Sequence, residues 1–363
     1  MAVYNGTSNT DLFTGTSDAD FYYNIGVGLD LVLSGSGDDR VEYRPGTALV
    51  VDLLPDVVEM GLGVDTLALD FSGYATRVTM ALPVLNGAVG LSSAVNLEGG
   101  LGLTYTGVNR FEATGGNGDD QLFGGTLNDV LAGGAGIDAI TSGDGNDVVR
   151  GGLGADMLAA GAGTDLLDYT GSSAGVWVDL GVGAGRFGDA QGDAFNGFEN
   201  VLGSSRADAL IGDQQANLID GAGGNDSLVG GGGNDMLRGS AGDDTLVSGL
   251  GADVFDGGSG ADTFVFLAAG DSPVVGRDVI IDFSGAAGDR LDFSAIDASG
   301  ARSGDEAFSF IGNDAFSGTG GELRVSYRTD FAVISGDVNG DGFSDFDVRI
   351  GSARVILEEH IIL

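Results

Sequence analysis

The chain contains no cysteine and a single histidine, His360, and each absence removes a class of chemistry. Without cysteine there is neither a disulfide framework nor a thiolate metal site. Zinc-protease chemistry on H-E-x-x-H needs two imidazoles, and a Ser-His-Asp triad needs one outside the tail. GSSAG at Gly171 to Gly175 matches the G-x-S-x-G elbow, but a chain this rich in Gly and Ser produces such matches by chance. Carboxylate-only chemistry such as glycoside hydrolysis survives these exclusions, yet little of the chain is left over to build a catalytic domain. The expectation is that the protein is not an enzyme.

Positive charge is also scarce. The 15 basic residues are all Arg, set against 54 acidic ones, for a formal net charge of −39. Such acidity argues against nucleic acid and anionic membrane as partners and in favour of cations. Long apolar runs are missing too: the uncharged stretch Val78 to Leu97 carries Pro83, Asn86, Gly87, Gly90 and serines. It reads as strands and turns, so the chain is not expected to be an integral membrane protein or a pore-forming toxin. The N-terminus, MAVYNGTSNTDLF, has neither the basic region nor the apolar core of a Sec signal.

What is abundant is glycine, at 69 residues, and it is placed periodically. Thirteen nine-residue units carry Asp (once Asn) at position six and a bulky apolar residue at position eight. The first run, Gly115 to Asp168, has Asp120, Asp129, Asp138, Asp147, Asp156 and Asp165 at position six, with Leu122, Leu131, Ile140, Val149, Leu158 and Leu167 at position eight. The second, Gly203 to Val265, has Asp208, Asn217, Asp226, Asp235, Asp244, Asp253 and Asp262, with Leu210, Ile219, Leu228, Leu237, Leu246, Phe255 and Phe264.

Each unit reads as half a coil: a Gly-rich turn, then a short strand with one inward side chain. Glycine at positions one, two and four is expected to permit positive φ, so that turn carbonyls converge on an ion. Calcium takes six to eight oxygen ligands, which a carboxylate from each of two stacked turns plus turn carbonyls can supply. Successive turns fall on opposite edges, so stacked turns lie eighteen residues apart. The expected ladders are Asp120, Asp138, Asp156 and Asp129, Asp147, Asp165 in the first run. In the second they are Asp208, Asp226, Asp244, Asp262 and Asn217, Asp235, Asp253. The fold class expected is all-β, a parallel β-roll with two β-rich inserts and a C-terminal β end-module.

These nonapeptides resemble the repeats-in-toxin (RTX) family, whose repeats bind calcium. Beyond Phe266 the register stops, and DVIIDF, GDRLDFSAID, FSFIGNDAFSGTGGELRV and GDVNGDGFSDFDVRI resemble the C-terminal region of the serralysin-type RTX proteins. That resemblance implies a region that closes the roll and carries an uncleaved signal for type I secretion, ending here in LEEHIIL. It also implies the type I apparatus as a partner and an extracellular destination.

The N-terminal segment carries the repeat in worn form. Asp11 and Asp20 occupy position six, a one-residue slip follows, then come Asp30 and Asp39, and later Asp65. These turns have lost glycine, which weakens their case as ion sites. Two inserts look like copies of each other: each opens on D-x-L, passes a Ser/Gly turn, a V-x-[MV] stretch and a Gly-rich loop, and re-enters the repeat through N-x-F-E. Trp177 and Phe198 are expected to pack across the roll rather than bind ligand. Asp337, Asn339, Asp341, Gly342 and Asp345 have part of an EF-hand spacing, but Val348 stands at position twelve and no flanking helices are apparent, so a β-turn is expected. The divisions expected are 1–70 degenerate roll, 71–110 insert, 111–170 roll, 171–202 insert, 203–266 roll and 267–363 capping and secretion-signal region.

The functional expectation is a secreted calcium-binding protein that folds on meeting extracellular calcium, with calcium as its cofactor. Its folded form would self-associate as a surface layer, filament or matrix, or bind a cell-surface glycan. The alternative is a module that binds or modifies a uronate polymer, which would need Arg residues clustered on one face.

Overall fold

The computed structural model describes residues 2–5, 11–25, 31–43, 56–60, 62–74, 77–80, 84–85, 91–97, 100–298, 306–351 and 355–363. The chain divides into two compact units, Met1–Asp168 with Ala184–Phe198, and Tyr169–Gly183 with Glu199–Leu363. The second insert therefore gives residues to both. Among the described residues the only helical segments are two single 3-10 turns, Gly188–Ala190 and Glu358–His360.

In the first unit, Val3–Asn5, Phe21–Ile25, Arg40–Tyr43, Thr66–Asp70, Arg110–Thr114, Val130–Ala135, Val148–Leu153 and Leu166–Asp168 pair in that order as a parallel sheet. Opposite edges of the coils build a second sheet. Leu12–Thr14, Leu31–Leu33, Asp56–Glu59 and Gly100–Val108 pair in parallel. The first insert then reverses the chain twice through Leu91–Leu97 and Val78–Met80. Parallel pairing resumes with Gln121–Phe123, Ala139–Asp144, Met157–Ala162 and Ala194–Asn196. An antiparallel excursion is tolerated inside a parallel sheet because Val78–Met80 presents the same backbone groups to Gln121–Phe123 that a preceding coil would.

The second unit repeats the plan. One sheet runs Asn200–Leu202, Leu218–Asp220, Met236–Arg238, Val254–Asp256, Val279–Ile280 and Phe346–Gly351 in parallel. An antiparallel meander through Phe331–Asp337 and Glu322–Tyr327 then extends it. The other runs Trp177–Asp179, Ala209–Ile211, Ser227–Gly232, Thr245–Leu250, Thr263–Val265, Arg290–Asp292 and Ile361–Ile362. The tail is thus a strand, and the end-module continues both sheets.

Register in the regular runs is eighteen residues, as in Leu131 beside Val149 and Leu228 beside Leu246. Every position-eight side chain of both runs is buried, giving two columns of mostly aliphatic side chains between the sheets. At about 1.5–3 kcal/mol for each fully buried large side chain, these columns supply the main packing energy of the coils. Aromatic residues take over toward the C-terminus: Phe255 meets Phe264 and Phe266, Phe266 stacks on Phe293 at 5.1 Å, and Phe293 meets Phe346. Phe198 is buried in contact with Phe195, while Trp177 is half-buried on its strand.

Candidate metal-binding ladders

Position six is where the coils are tied together. The N–H of each ladder Asp donates to Oδ1 of the Asp on the next stacked turn: Asp120 to Asp138 at 2.7 Å, Asp138 to Asp156 at 2.9 Å, Asp129 to Asp147 and Asp147 to Asp165 at 2.7 Å. In the second run the chains are Asp208, Asp226, Asp244, Asp262 and Asn217, Asp235, Asp253. These are the groupings that the eighteen-residue spacing predicts. The Asp carbonyl is used as well, accepting from the residue after the next Asp, as Asp120 does from Ala139.

The turns come in two states. In the closed state the second residue of the turn donates its N–H to the side-chain oxygen at position six, four residues on: Gly116 to Asp120, Gly125 to Asp129, Ser204 to Asp208 and Asp213 to the amide oxygen of Asn217. Thr16 does the same for Asp20 and adds its hydroxyl. In the open state that donor is turned away, because position two lies at positive φ: Gly134 at 104°, Gly143 at 105°, Gly152 at 100°, Gly231 at 100° and Gly249 at 103°. Ala222 at 64° and Ser240 at 74° hold the same conformation without glycine's freedom. Position four is also at positive φ, as at Gly136 and Gly242.

Position one does not behave as expected. Its glycines, such as Gly133 and Gly230, lack positive φ; they are needed for close approach. A Cβ on Gly133 would lie 2.2 Å from Asp138 Oδ2 and 2.6 Å from the Gly151 carbonyl oxygen, and one on Gly239 would lie 2.3 Å from Asp244 Oδ2 and 2.6 Å from the Gly257 carbonyl oxygen. Carboxylate and carbonyl oxygens of stacked turns therefore crowd one place beside the backbone.

Opening a turn leaves an acid oxygen stranded. Oδ2 of Asp138, Asp156, Asp226, Asp235, Asp244, Asp253 and Asp262 is buried with no hydrogen-bond partner, as it is in Asp65, whereas Asp39, Asp147 and Asp278 lie beside the hydroxyls of Ser34, Ser142 and Ser272, which favour their charged forms. Burial pushes Asp138, Asp226 and Asp235 up to about 7, and neighbouring ladder carboxylates push the same way. Asp278 is driven to about 8 by burial, with Asp253 and Asp271 adding repulsion. At Asp20 burial opposes the charge, but N–H donors from Ala2 and Thr16 outweigh it and hold the carboxyl below its ordinary value.

An Asn would supply the Oδ1 that ties the coils, so hydrogen bonding alone does not call for Asp. The second oxygen, buried, stacked on like charges and unpartnered, fits a cation. No three Asp, Glu or His side chains come together among the described residues. A calcium ion here would draw one or two carboxylates from stacked turns, and the remaining oxygens would be turn carbonyls.

The ladders also extend where the nonapeptide does not. Asp253 N–H donates to Asp278 Oδ1, 25 residues on, and Asp262 N–H to Asp289 Oδ1, 27 residues on. Asp156 N–H reaches Asp193, 37 residues on, and Asp39 N–H reaches Asp65. Asp193, Asp278 and Asp289 escape a nine-residue search, yet each begins an Asp-x-apolar triplet ending in Phe195, Ile280 and Leu291. Each insert starts a new ladder in the same way: Val78 N–H caps Asp120, and Val176 N–H caps Asp208. Asp11 is half-buried with its carbonyl accepting from Leu31, and Asp30 lies outside the described residues. Asp337, Asn339, Asp341 and Asp345 hold a hairpin turn by accepting its N–H groups, Asp337 from Gly340 and Gly342 and Asp345 from Val338.

Two parallel sheets wound into coils, with acids facing each other across stacked turns, define the class: a parallel β-roll of calcium-repeat type. The family model for the peptidase M10 serralysin C-terminal region matches residues 49–363, and the chain belongs to that family, an RTX-type calcium-binding β-roll. Among solved structures, the AlgE6R3 subunit of the Azotobacter vinelandii mannuronan C5-epimerase is 32% identical over 44% of this chain and 80% of that one, with a TM-score of 0.21. The extracellular lipase LipA of Serratia marcescens is 21% identical over 70% of this chain and 40% of that one, with a TM-score of 0.29. No curated protein sequence is a detectable relative of this chain.

Proposed function

We propose that this is a secreted, non-enzymatic protein whose folding is switched on by extracellular calcium, and whose folded roll self-assembles into a surface layer, filament or matrix. The observation that carries the switch is the column of buried, unpartnered carboxylate oxygens in the open turns. Where calcium is scarce these acids repel one another and resist burial, which keeps the chain extended and fit to thread a type I channel. Where calcium is plentiful, each site at a hundredfold excess over its dissociation constant adds about 2.7 kcal/mol, so a few sites reach the ~5–15 kcal/mol typical of a native domain. Asp278 and Asp289 support a capping role for the end-module, since they carry the same ladders into it. Metal-ligand roles for the open-turn acids Asp138, Asp147, Asp156, Asp165, Asp226, Asp235, Asp244, Asp253 and Asp262 belong to this reading, whereas Asp120, Asp129, Asp208 and Asn217 are engaged by the N–H of their own closed turns.

Self-assembly is supported by how much of the chain is roll and by the presence of sheet ends that can stack. A uronate-polymer module would need free Arg groups on one face. Four of the fifteen Arg are already engaged with acids: Arg40 forks onto Glu112, Arg150 pairs with Asp168, Arg238 bridges Asp220 and Asp256, and Arg277 meets Asp347. Circular dichroism and gel filtration in chelator and in millimolar calcium test both parts. The expected result is loss of β-structure in chelator and polymers in calcium; a chain equally folded in both sinks the switch, and a strict monomer at high concentration in calcium sinks the assembly.

A further inference from the structure

We propose that residues 34–39 and 62–65, in the worn N-terminal segment, hold a calcium ion of the same kind as the regular coils, while the neighbouring turn at Asp20 holds none. The proposal rests on reading the open ladders as calcium sites. Sequence spacing gives no reason to single out this pair, because Asp39 and Asp65 are 26 residues apart and methionine occupies position one at Met60.

The backbone supplies the reason. When two stacked turns are both open, position four of the first donates to the position-three carbonyl of the second: Gly136 to Leu153, Gly145 to Ala162, Gly224 to Ala241, Gly233 to Leu250 and Gly242 to Ser259. Gly37 donates to Leu62 in this way at 2.8 Å. Position three of the later turn donates back to position two of the earlier one in regular stacks, as Gly232 does to Asp213; here Leu62 donates to Gly35 at 3.3 Å. Gly35 and Gly37 hold φ of 97° and 111°, the open values. Asp39 N–H is tied to Asp65 Oδ1 at 2.8 Å, and Asp65 is fully buried with its Oδ2 unpartnered. The additional residues of the long coil leave the turn pair unchanged.

Asp20 is the internal contrast. Its Oδ2 accepts both the N–H and the hydroxyl of Thr16, and the Asp18 N–H folds back onto that hydroxyl. The turn is closed by its own groups, and no acid oxygen is stranded.

Calcium bound by the full chain, counted by equilibrium dialysis with elemental analysis, tests the assignment. Asp65→Asn keeps an Oδ1 for the Asp39 N–H but removes the charge; it is expected to bind one ion fewer than the parent, and Asp20→Asn the same number. Asp39→Asn serves as a second removal if Asp65→Asn does not fold, and Asp156→Asn serves as the control in a regular ladder. An unchanged count in the folded Asp65→Asn or Asp39→Asn chain, alongside a loss in Asp156→Asn, overturns this site and leaves the ladder reading standing. A parent that binds no calcium overturns both.

Discussion

The regular coils of residues 203–266 and the end-module that follows are built on the same two ladders but reach them differently. In the coils each rung is eighteen residues from the last and the core is largely aliphatic. In the end-module the rungs lie 25 and 27 residues on, and the core is a cluster of phenylalanines. The invariant shared by the two regions is the Asp-x-apolar triplet, which puts one acid at the edge and one side chain between the sheets. The nine-residue period is therefore the shortest loop that links successive triplets, and longer loops do the same work. In both regions the second carboxylate oxygen can be buried away from its turn's N–H groups, as at Asp235 and Asp278, or bound by one of them, as at Asp208 and Asp289.

The largest effect that can set the two regions against each other is pH in the absence of calcium. Asp138, Asp226 and Asp235 are held near 7, Asp262 near 6 and Asp278 near 8, all above the ordinary carboxylate range. Acids whose pKa is raised on folding bind more protons when folded, so their contribution is fully present below about pH 4 and is lost as pH rises through 6 to 8. In chelator the chain should gain β-structure by circular dichroism as pH falls from 8 toward 5. Calcium should abolish that dependence; a metal-free chain that is folded at pH 8 and unfolds at 5 reverses the sign and contradicts the ladder electrostatics.

Core truncation comes next. Phe293→Ala in the end-module should destabilise the calcium-loaded protein by about 3–5 kcal/mol, and Leu237→Ala in the coils by about 2–5 kcal/mol. Denaturant unfolding with amide exchange would distinguish local from shared loss. If the end-module closes the roll, Phe293→Ala should speed exchange in the coils as well; protection there that stays at the parent level would show that the coils stand without their cap.

The smallest effect concerns turn conformation. Ala222→Gly and Ser240→Gly relieve left-handed backbone at residues with a Cβ and should each stabilise by about 0.5–1 kcal/mol in urea. Gly231→Ala, in the same position of a neighbouring turn, should destabilise, because its Cβ would come 2.3 Å from the Asp213 carbonyl oxygen. Equal and opposite behaviour of the two sets would tie the open turn to φ at position two.

The regular ladders are legible in the amino-acid sequence, because strict nine-residue register fixes both the eighteen-residue stacking and which side chains face inward. The kinship of the inserts is legible too, and Val78 and Val176 show its physical meaning: each begins the coil against which the next run is laid. Glycine at position one has a different cause from the positive φ that its place in the turn suggests. A sequence records that a side chain is missing, but not whether the reason is φ or a neighbour's oxygen. Asp193 and Asp278 stay hidden in the sequence because nothing in a loop's length says where its far end lands.

By itself, then, the sequence determined the class of fold, the acid at every regular rung and the apolar side chain two residues later, because these follow from a local period. Which turns are open and which are closed was decided only by tertiary structure. That choice depends on whether the N–H at position two faces its own acid or is turned away by a positive φ stabilised through bonds to a turn eighteen or more residues distant. The same long-range stacking decides that Asp20 is satisfied while Asp65 is stranded, although both occupy the same place in the repeat.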